Sequence, residues 1–226
     1  ADLTRDKYIY TISSPSGEPI QITQRKHVIS VIKVAPKGDE IAYLGHDYRF
    51  GLATFQDLWV VSVDGEVSTN LTKTYDFDIG NSVVCDTRIE TPHCNPKWSS
   101  DGKDLYFTLV QNGISSLYKL SRDNLTLQKI LGSVDHSVEA WSRSNNGIIA
   151  YTILSTGTPI ELWVLQNQQE AQLSSMNCDW INQHMISSWE NFSYQTSVGH
   201  TVDGWLIRPP EFQQDAKYPL LLEIHG

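Results

Sequence analysis

Residues 98–108 read WSSDGKDLYFT, in which an aromatic residue, a short polar turn and an apolar strand follow one another. Asp101-Gly102 lets the chain adopt a positive φ at the turn without steric cost, and the side chains of Ser99 and Asp101 can satisfy the amides of the turn. Trp98 places a large apolar surface just ahead of the turn. The pattern predicts two antiparallel strands joined by a tight turn.

The same order of strands recurs along the chain. Residues 28–72 contain it with a turn at 35–39, and residues 141–173 contain it with a turn at 141–147. In these copies Val34 and Trp141 take the place of Trp98, where we expect packing between neighbouring sheets. Residues 8–23 supply only the last two strands of an earlier copy. The spacing is close to the ~40–50 residues of a propeller blade.

The repeats predict a mainly β protein with a partial β-propeller. About three and a half blades of four antiparallel strands are expected within residues 1–175, whereas closed propellers usually need ~4–8 blades. An open stack of blades would leave the faces of its end blades uncovered. We therefore expect further blades upstream of residue 1.

The last fifty residues change character. Residues 180–189 have weak helical spacing and are expected to form a short connector, and residues 190–210 contain a hairpin. Residues 218–226 read YPLLLEIHG, a near-continuous apolar run typical of a strand that is covered on both faces of an α/β sheet. Residues 176–226 are thus predicted to form a linker and the N-terminal strands of a second domain, which we expect to continue downstream.

Composition excludes several classes of function. The net charge of -9 without a Lys/Arg cluster argues against nucleic acid, and no run of ~18 apolar residues or basic-then-apolar leader predicts a membrane span or signal peptide.

The chain has three cysteines, Cys85, Cys94 and Cys178. Their odd number and the lack of CxxC spacing favour reduced thiols and a cytoplasmic location. A Cys85–Cys94 bridge stays open. His93 beside Cys94 lacks a further ligand pair, so no metal or cofactor is expected.

Two parts of the chain together resemble the prolyl oligopeptidase family of serine peptidases. They are the blades with the Trp-Ser-Ser-Asp-Gly turn and the terminal segments 204–209, GWLIRP, and 218–226. The resemblance looks closest to the acylaminoacyl-peptidase and dipeptidyl-aminopeptidase-like branch. It implies that residues 176–226 begin an α/β-hydrolase domain, and that the parent protein hydrolyses short peptides behind a propeller that gates access.

The resemblance also implies where the chemistry lies. In such enzymes Ser, Asp and His form the triad in that chain order. No G-x-S-x-G sequence occurs in these 226 residues, so the triad is expected beyond Gly226 and this chain alone is expected to be inactive. His225 and Gly226 match the start of the family's His-Gly-Gly-Pro loop, where Gly226 allows close approach to a developing oxyanion and His225 shapes the loop.

Two long loops are candidates for substrate contact. One comprises residues 46–55 and the other residues 75–94, and they carry Arg49 and Arg88 as fixed cations. We expect one of these arginines to face the cavity and touch the peptide, although solvated loop charge is the competing interpretation. A homo-oligomer is compatible with the sequence.

A second class of function explains the blades equally well. A non-enzymatic β-propeller that binds protein partners needs the repeats, but it gives no role to residues 218–226.

Overall fold

Antiparallel strands make up most of the computed structural model, which describes residues 6–24, 27–65, 67–83, 96–155, 157–187 and 189–224. The chain divides into two units. Residues 1–155 with 159–175 form the first, and residues 156–158 with 176–226 form the second. Each unit is described below by itself.

The first unit opens with a short hairpin. Strands β1 (Tyr10–Thr11) and β2 (Ile20–Gln21) pair antiparallel, as expected for the half copy at the start of the chain. The amide of Lys7 donates to the carbonyl of His27 at 2.9 Å, which ties the hairpin to the next sheet.

The first blade is a four-stranded sheet in the order β3-β4-β5-β6. Its strands are β3 (Val28–Val34), β4 (Glu40–His46), β5 (Asp57–Ser62) and β6 (Thr69–Asn70). Residues 47–56 connect β4 with β5 and contain a short 3-10 helix, Gly51–Ala53.

The second blade has an interrupted inner strand. Strands β7 (Asp78–Ile79) and β8 (Lys97–Trp98) both pair with β9 (Asp104–Gln111), which continues to β10 (Ile114–Ser121) and β11 (Leu127–Leu131). Sequence analysis missed β7, because a strand of two residues shows no alternation.

The third blade is again four-stranded, in the order β12-β13-β14-β15. Its strands are β12 (His136–Arg143), β13 (Ile149–Ser155), β14 (Thr158–Gln166) and β15 (Gln169–Gln172). Three blades and a preceding hairpin confirm the predicted mainly β fold and its repeat.

Alternating side chains of each sheet pack against the neighbouring blades. Leu44 and Leu58 of the first blade share a buried cluster with Leu105 and Phe107 of the second. A second cluster joins the opposite face of the second blade to the third, for example through Leu117 and Tyr151. Since a fully buried side chain of this size contributes about 1.5–3 kcal/mol, these clusters are the main source of blade-to-blade stability.

The turns define which residues of the three blades are equivalent. The amides of Ala35, Ser99 and Ser144 each donate to the carbonyl that opens the next strand, at 2.8–2.9 Å. The position just before these turns is held by Val34, Trp98 and Arg143, so the predicted match of Trp98 with Trp141 is wrong by two residues.

Only part of the predicted blade packing at this position is present. The indole N–H of Trp98 donates to the carbonyl of Lys33 in the first blade at 3.0 Å. The guanidinium of Arg143 lies 4.6 Å from the ring centre of Tyr106 in the second blade, while Val34 is 59% exposed. Trp141 packs two residues earlier, on the edge of the third blade's buried cluster.

The innermost strands of all three blades are interrupted at one and the same position. Strand β3 has a bulge at Ser30, and strand β12 has a bulge at Glu139. Counted from the residue that follows the carbonyl closing each turn, both bulges lie opposite the step from the fourth to the fifth residue of the facing strand. In the second blade, the pairing of β7 with β9 ends at this position, and that of β8 with β9 begins just beyond it. Bulges bend a strand and redirect a side chain. The side-chain Nδ2 of Asn81, just after β7, donates to Glu139 Oε1 at 3.3 Å, which connects the second and third blades at this position.

The second unit contains one helix and one hairpin among the residues that are described. Helix α1 (Cys178–Gln183) precedes β16 (Trp189–Gln195) and β17 (Thr201–Ile207), which pair antiparallel. The helical spacing near residue 180 and the hairpin after residue 190 are confirmed.

The predicted strand over residues 218–226 is not formed in the part of it that is described. Residues 218–224 pair with no strand among the described residues, and Leu221 is 94% exposed. A strand needs a neighbour to satisfy its amides and carbonyls, and an apolar one needs cover on its faces. Residues 218–224 are therefore not a paired strand in this chain by itself, and the assignment of residues 176–226 to the start of an α/β-hydrolase domain stays a prediction.

Candidate functional site

Arg49 lies in the β4–β5 loop, whose backbone is held by local hydrogen bonds. The amide of Arg49 donates to Asp47 Oδ1 at 3.2 Å, and the amide of Phe50 donates to Thr54 Oγ1 at 2.8 Å. Thr54 Oγ1 in turn donates to the carbonyl of Gly51 at 2.8 Å. The loop therefore has a defined shape, although it extends from the sheet.

The guanidinium of Arg49 is at the surface and partly neutralised. Its Nη2 lies 3.6 Å from Asp47 Oδ2, and its side chain is 52% exposed. Arg49 borders a pocket of about 140 Å³, here called the loop pocket, together with Phe50, Phe55 and Lys73. Arg49 thus borders a concave surface, and the expectation that it faces the substrate cavity stays a prediction. Whether it touches a peptide stays a prediction.

The connection from the first to the second blade, residues 71–77, forms the opposite wall of the loop pocket. We call it the strap. Thr72 Oγ1 accepts from the amide of Leu58 at 3.0 Å and donates to Asp57 Oδ1 at 2.9 Å, which fixes the start of the strap on β5. The hydroxyl of Tyr75 donates to the carbonyl of Leu125 at 2.9 Å, which fixes its middle on the second blade.

A second, larger pocket lies on the other side of the strap. This strap pocket has a volume of about 380 Å³ and shares Tyr75, Asp76 and Phe77 with the loop pocket. The rings of Tyr75 and Phe77 stack with centres 5.2 Å apart, so they form the ridge between the two pockets. Leu109 forms part of the buried floor.

Sequence analysis identified the loop that begins at Tyr75 but assigned its contact to Arg88. Arg88 lies outside the described residues, as do His225 and Gly226 and the cysteines Cys85 and Cys94. The structure therefore leaves these predictions untested. The pocket-lining residues that were missed, Asp76 and Phe77, could have been noticed as an aromatic–acid–aromatic run between two blades.

Just beyond the strap, Asp78 connects the two blades through a half-buried carboxyl. Its Oδ1 accepts from the amide of Gln56 at 2.9 Å. Burial raises the pKa of Asp78 above its ordinary value, although the hydrogen bonds from Gln56 and Ser82 oppose that rise by stabilising the charge. The group tightens the base of the β4–β5 loop against the second blade.

Other chemistry is sparse within the described ranges. No three His, Cys, Asp or Glu side chains there lie close enough together to hold a metal ion. Cys178 is an exposed free thiol at the start of α1. Neither feature adds a catalytic group to the two pockets.

Comparison with curated proteins gives a relative among peptidases. No family model matches the chain. The peptidase YuxL of Bacillus subtilis is 28% identical over 175 residues, which cover 77% of this chain and 26% of that relative. The chain therefore spans about a quarter of the relative's length.

Comparison with solved structures gives the same fold. An acylaminoacyl peptidase of Pyrococcus horikoshii matches 94% of this chain and 29% of its own, with a TM-score of 0.67 and 19% identity. The β-propeller domain of the trilobed protease from Pyrococcus furiosus matches 75% of this chain and 46% of its own, with a TM-score of 0.53 and 18% identity.

This chain resembles the propeller region of prolyl oligopeptidase-family peptidases in sequence and in fold. The propeller region comprises the three blades and the opening hairpin, and the two pockets lie where its first and second blades meet. Among its described helices, none has the length and apolar character needed to cross a membrane.

Proposed function

We propose that the chain is part of a serine peptidase that hydrolyses short peptides, with acylaminoacyl- or dipeptidyl-peptidase-like specificity. The observation that carries the proposal is that propeller blades and residues 176–226 occur in one chain, since the match to the acylaminoacyl peptidase extends over 94% of the chain. In this proposal the propeller gates access of peptides to the catalytic domain.

The catalytic Ser, Asp and His are proposed to lie outside residues 1–226. The lack of a G-x-S-x-G sequence supports this, because a nucleophile elbow of that form presents the serine in α/β-hydrolases. His225 and Gly226 are proposed to open the oxyanion loop, with Gly226 allowing the backbone to approach the developing charge.

A serine-hydrolase probe tests the assignment of the triad. The 226-residue chain and the product of the complete reading frame are each treated with a fluorophosphonate probe. We expect labelling of the complete product and none of the chain. Stoichiometric labelling of the chain would overturn the placement of the nucleophile, and an unlabelled, folded complete product would favour a binding module over a peptidase.

Arg49 and Arg88 are proposed to contact the peptide. The position of Arg49 at the loop pocket supports the first of these contacts. An arginine that hydrogen-bonds a charged group contributes ~1.5–3 kcal/mol, so in the complete enzyme the double variant R49A/R88A should lower kcat/KM by about tenfold or more, through KM.

Lys129→Ala provides the matched control for this experiment. Lys129 is an exposed cation on β11 and does not line either pocket. If K129A and R49A/R88A leave kcat/KM equally unchanged for acetylated peptides and for peptides with a free amino end, the proposed contact is wrong.

The surroundings of the enzyme are proposed as well. We propose a cytoplasmic location, which the free thiol of Cys178 supports. Short peptides are the proposed partners, and self-association is to be measured by light scattering of the complete product.

A further inference from the structure

The strap pocket has the size of a ligand site. Ligand pockets usually measure about 300–1,000 Å³, which includes the strap pocket at about 380 Å³ and excludes the loop pocket at about 140 Å³. The strap is also held on both blades, by Thr72 on β5 and by Tyr75 on the second blade. One wall of the strap pocket is therefore fixed at two points by hydrogen bonds.

Five of the eight residues that line the strap pocket are aromatic or aliphatic, while polar atoms, including those of Thr74 and Gln111, contribute slightly more of its exposed lining. Tyr75 and Phe77 form one side, Tyr118 and Leu127 belong to the sheet of the second blade, and Leu109 is fully buried in the floor. Burial raises the pKa of Tyr118, so its hydroxyl stays neutral at ordinary pH. These surfaces can cover an aliphatic stem and present ring faces to a cation.

The strap pocket contains one charge, which is negative. Asp76 is the acidic residue of the lining, and neither Arg49 nor Lys73 borders this pocket. The ion pairs and hydrogen bonds of the described residues do not include the Asp76 carboxylate. By contrast, the loop pocket is lined by the cations Arg49 and Lys73 as well as by the acids Asp47, Asp57 and Asp76.

We propose that the strap pocket binds the side chain of an arginine in a peptide. The aliphatic part of the arginine lies against Leu127, and its guanidinium pairs with Asp76 beside the rings of Tyr75 and Phe77. A planar guanidinium suits this position better than an ammonium group, because it is more weakly hydrated and stacks on aromatic faces.

The proposed contact is a binding site and needs no catalytic group. It goes beyond the proposed peptidase activity, since it assigns a preference for basic peptides to the propeller region itself. A failure to bind would leave the peptidase proposal intact, and a failure of peptide hydrolysis would leave this site intact.

The experiment measures binding of two neutral-ended peptides to the 226-residue chain by fluorescence anisotropy. The first has the sequence Gly-Ala-Arg-Ala-Gly with a fluorophore on its amino end and an amidated carboxyl end, and the second carries citrulline in place of arginine. Citrulline keeps the shape and removes the charge. An exposed ion pair and a cation–π contact are each worth up to about 1 kcal/mol, so we expect the arginine peptide to bind about 5- to 20-fold more tightly.

Two variants assign the effect to Asp76. Asp76→Asn should remove the difference between the two peptides, while Asp135→Asn, which neutralises an exposed acid between β11 and β12, should preserve it. Higher salt should reduce the difference, because the charges are open to solvent. Equal binding of the two peptides by the unchanged chain, or an undiminished difference in D76N, would overturn the proposal.

A separate arm distinguishes a peptide from free arginine. Arginine amide is added as a competitor of the bound peptide. We expect it to compete more weakly than the unlabelled peptide, because the peptide backbone adds contacts outside the pocket. Competition by arginine amide at the same concentration as the peptide would overturn the assignment to a peptide.

Discussion

The indole N–H of Trp98 donates to the backbone carbonyl of Lys33 across the boundary between the first and second blades, at 3.0 Å. The guanidinium of Arg122 lies 5.1 Å from the Trp98 ring centre and pairs with Glu40 of the first blade at 2.7 Å. The Trp98 side chain thus connects the core of the second blade with the backbone of the first.

Removing the indole N–H should weaken the first unit. Trp98→Phe keeps an aromatic ring but leaves the Lys33 carbonyl without its donor, so the free energy of unfolding should fall by about 2 kcal/mol in urea titrations. Trp180→Phe, at a residue that is 53% exposed on α1, should change it by less than about 0.5 kcal/mol. Equal effects of the two changes would contradict the role given to the hydrogen bond.

Asp78 should make the stability of the first unit depend on pH. Burial raises its folded-state pKa above the ordinary value of 3.8. The stabilisation that comes from holding the proton is therefore complete below that ordinary value and is lost as pH rises through the folded-state pKa. Asp78→Asn, which keeps an acceptor for the Gln56 amide, should be more stable than the unchanged chain near neutral pH and should lose this advantage in acid. Urea titrations across that range check the sign, and a less stable variant at neutral pH would refute it.

Asp101 should show the opposite dependence. Its carboxylate accepts from Ser99 Oγ at 2.6 Å and from the Lys103 amide at 3.1 Å, and these bonds lower its pKa below the ordinary value of 3.8. Its contribution is present above that value and is lost as pH falls through the folded-state pKa. Asp101→Asn should therefore be less stable near neutral pH, with a difference from the unchanged chain that shrinks in acid. The same titrations measure it, and a constant difference across pH would exclude ionisation as the cause.

Gly45 should tolerate no side chain. A Cβ there would collide with the backbone carbonyl of Val28, which cannot move without breaking the pairing of β3 with β4. Gly45→Ala should cost about 3 kcal/mol of unfolding free energy, the upper end of the range for overpacking, because the obstacle is backbone.

Gly38→Ala is the control for this substitution. A Cβ at Gly38 would meet nothing within 4 Å, but its φ of +77° lies in the left-handed region. The cost should be about 1 kcal/mol, from backbone conformation alone. If G38A proves as harmful as G45A, the collision at Val28 is not the cause.

The blades could be predicted from sequence because each strand shows alternating apolar and polar residues and each turn contains a short polar motif. Where the local signal is short, prediction fails. Strand β7 has two residues, and Trp141 was matched to Trp98 because both are large, whereas the amides of Ser99 and Ser144 define the true alignment. Residues 218–224 show a further limit, since their apolar pattern describes a strand that needs neighbours.

The candidate site was predictable only in part. Arg49 and the loop beginning at Tyr75 stand out as departures from a minimal blade. The strap pocket does not stand out, because Asp76 comes close to Tyr118 and Leu127 only in the folded structure, and these residues are far from Asp76 in the sequence. The spacing of these residues along the chain does not predict that they line one pocket.

The first strand of each blade is interrupted at the same position, which is Ser30 in the first blade, and this position is suitable for inserting a foreign segment. Hydrogen-bonded pairing continues on both sides of Ser30, and in the second blade β7 and β8 both keep their pairing with β9 on either side of the matching place. A reporter epitope spliced in after Ser30 would enter between two lengths of strand that each keep their own register. Diversification of such proteins by insertion would therefore be expected to concentrate there rather than at the turns.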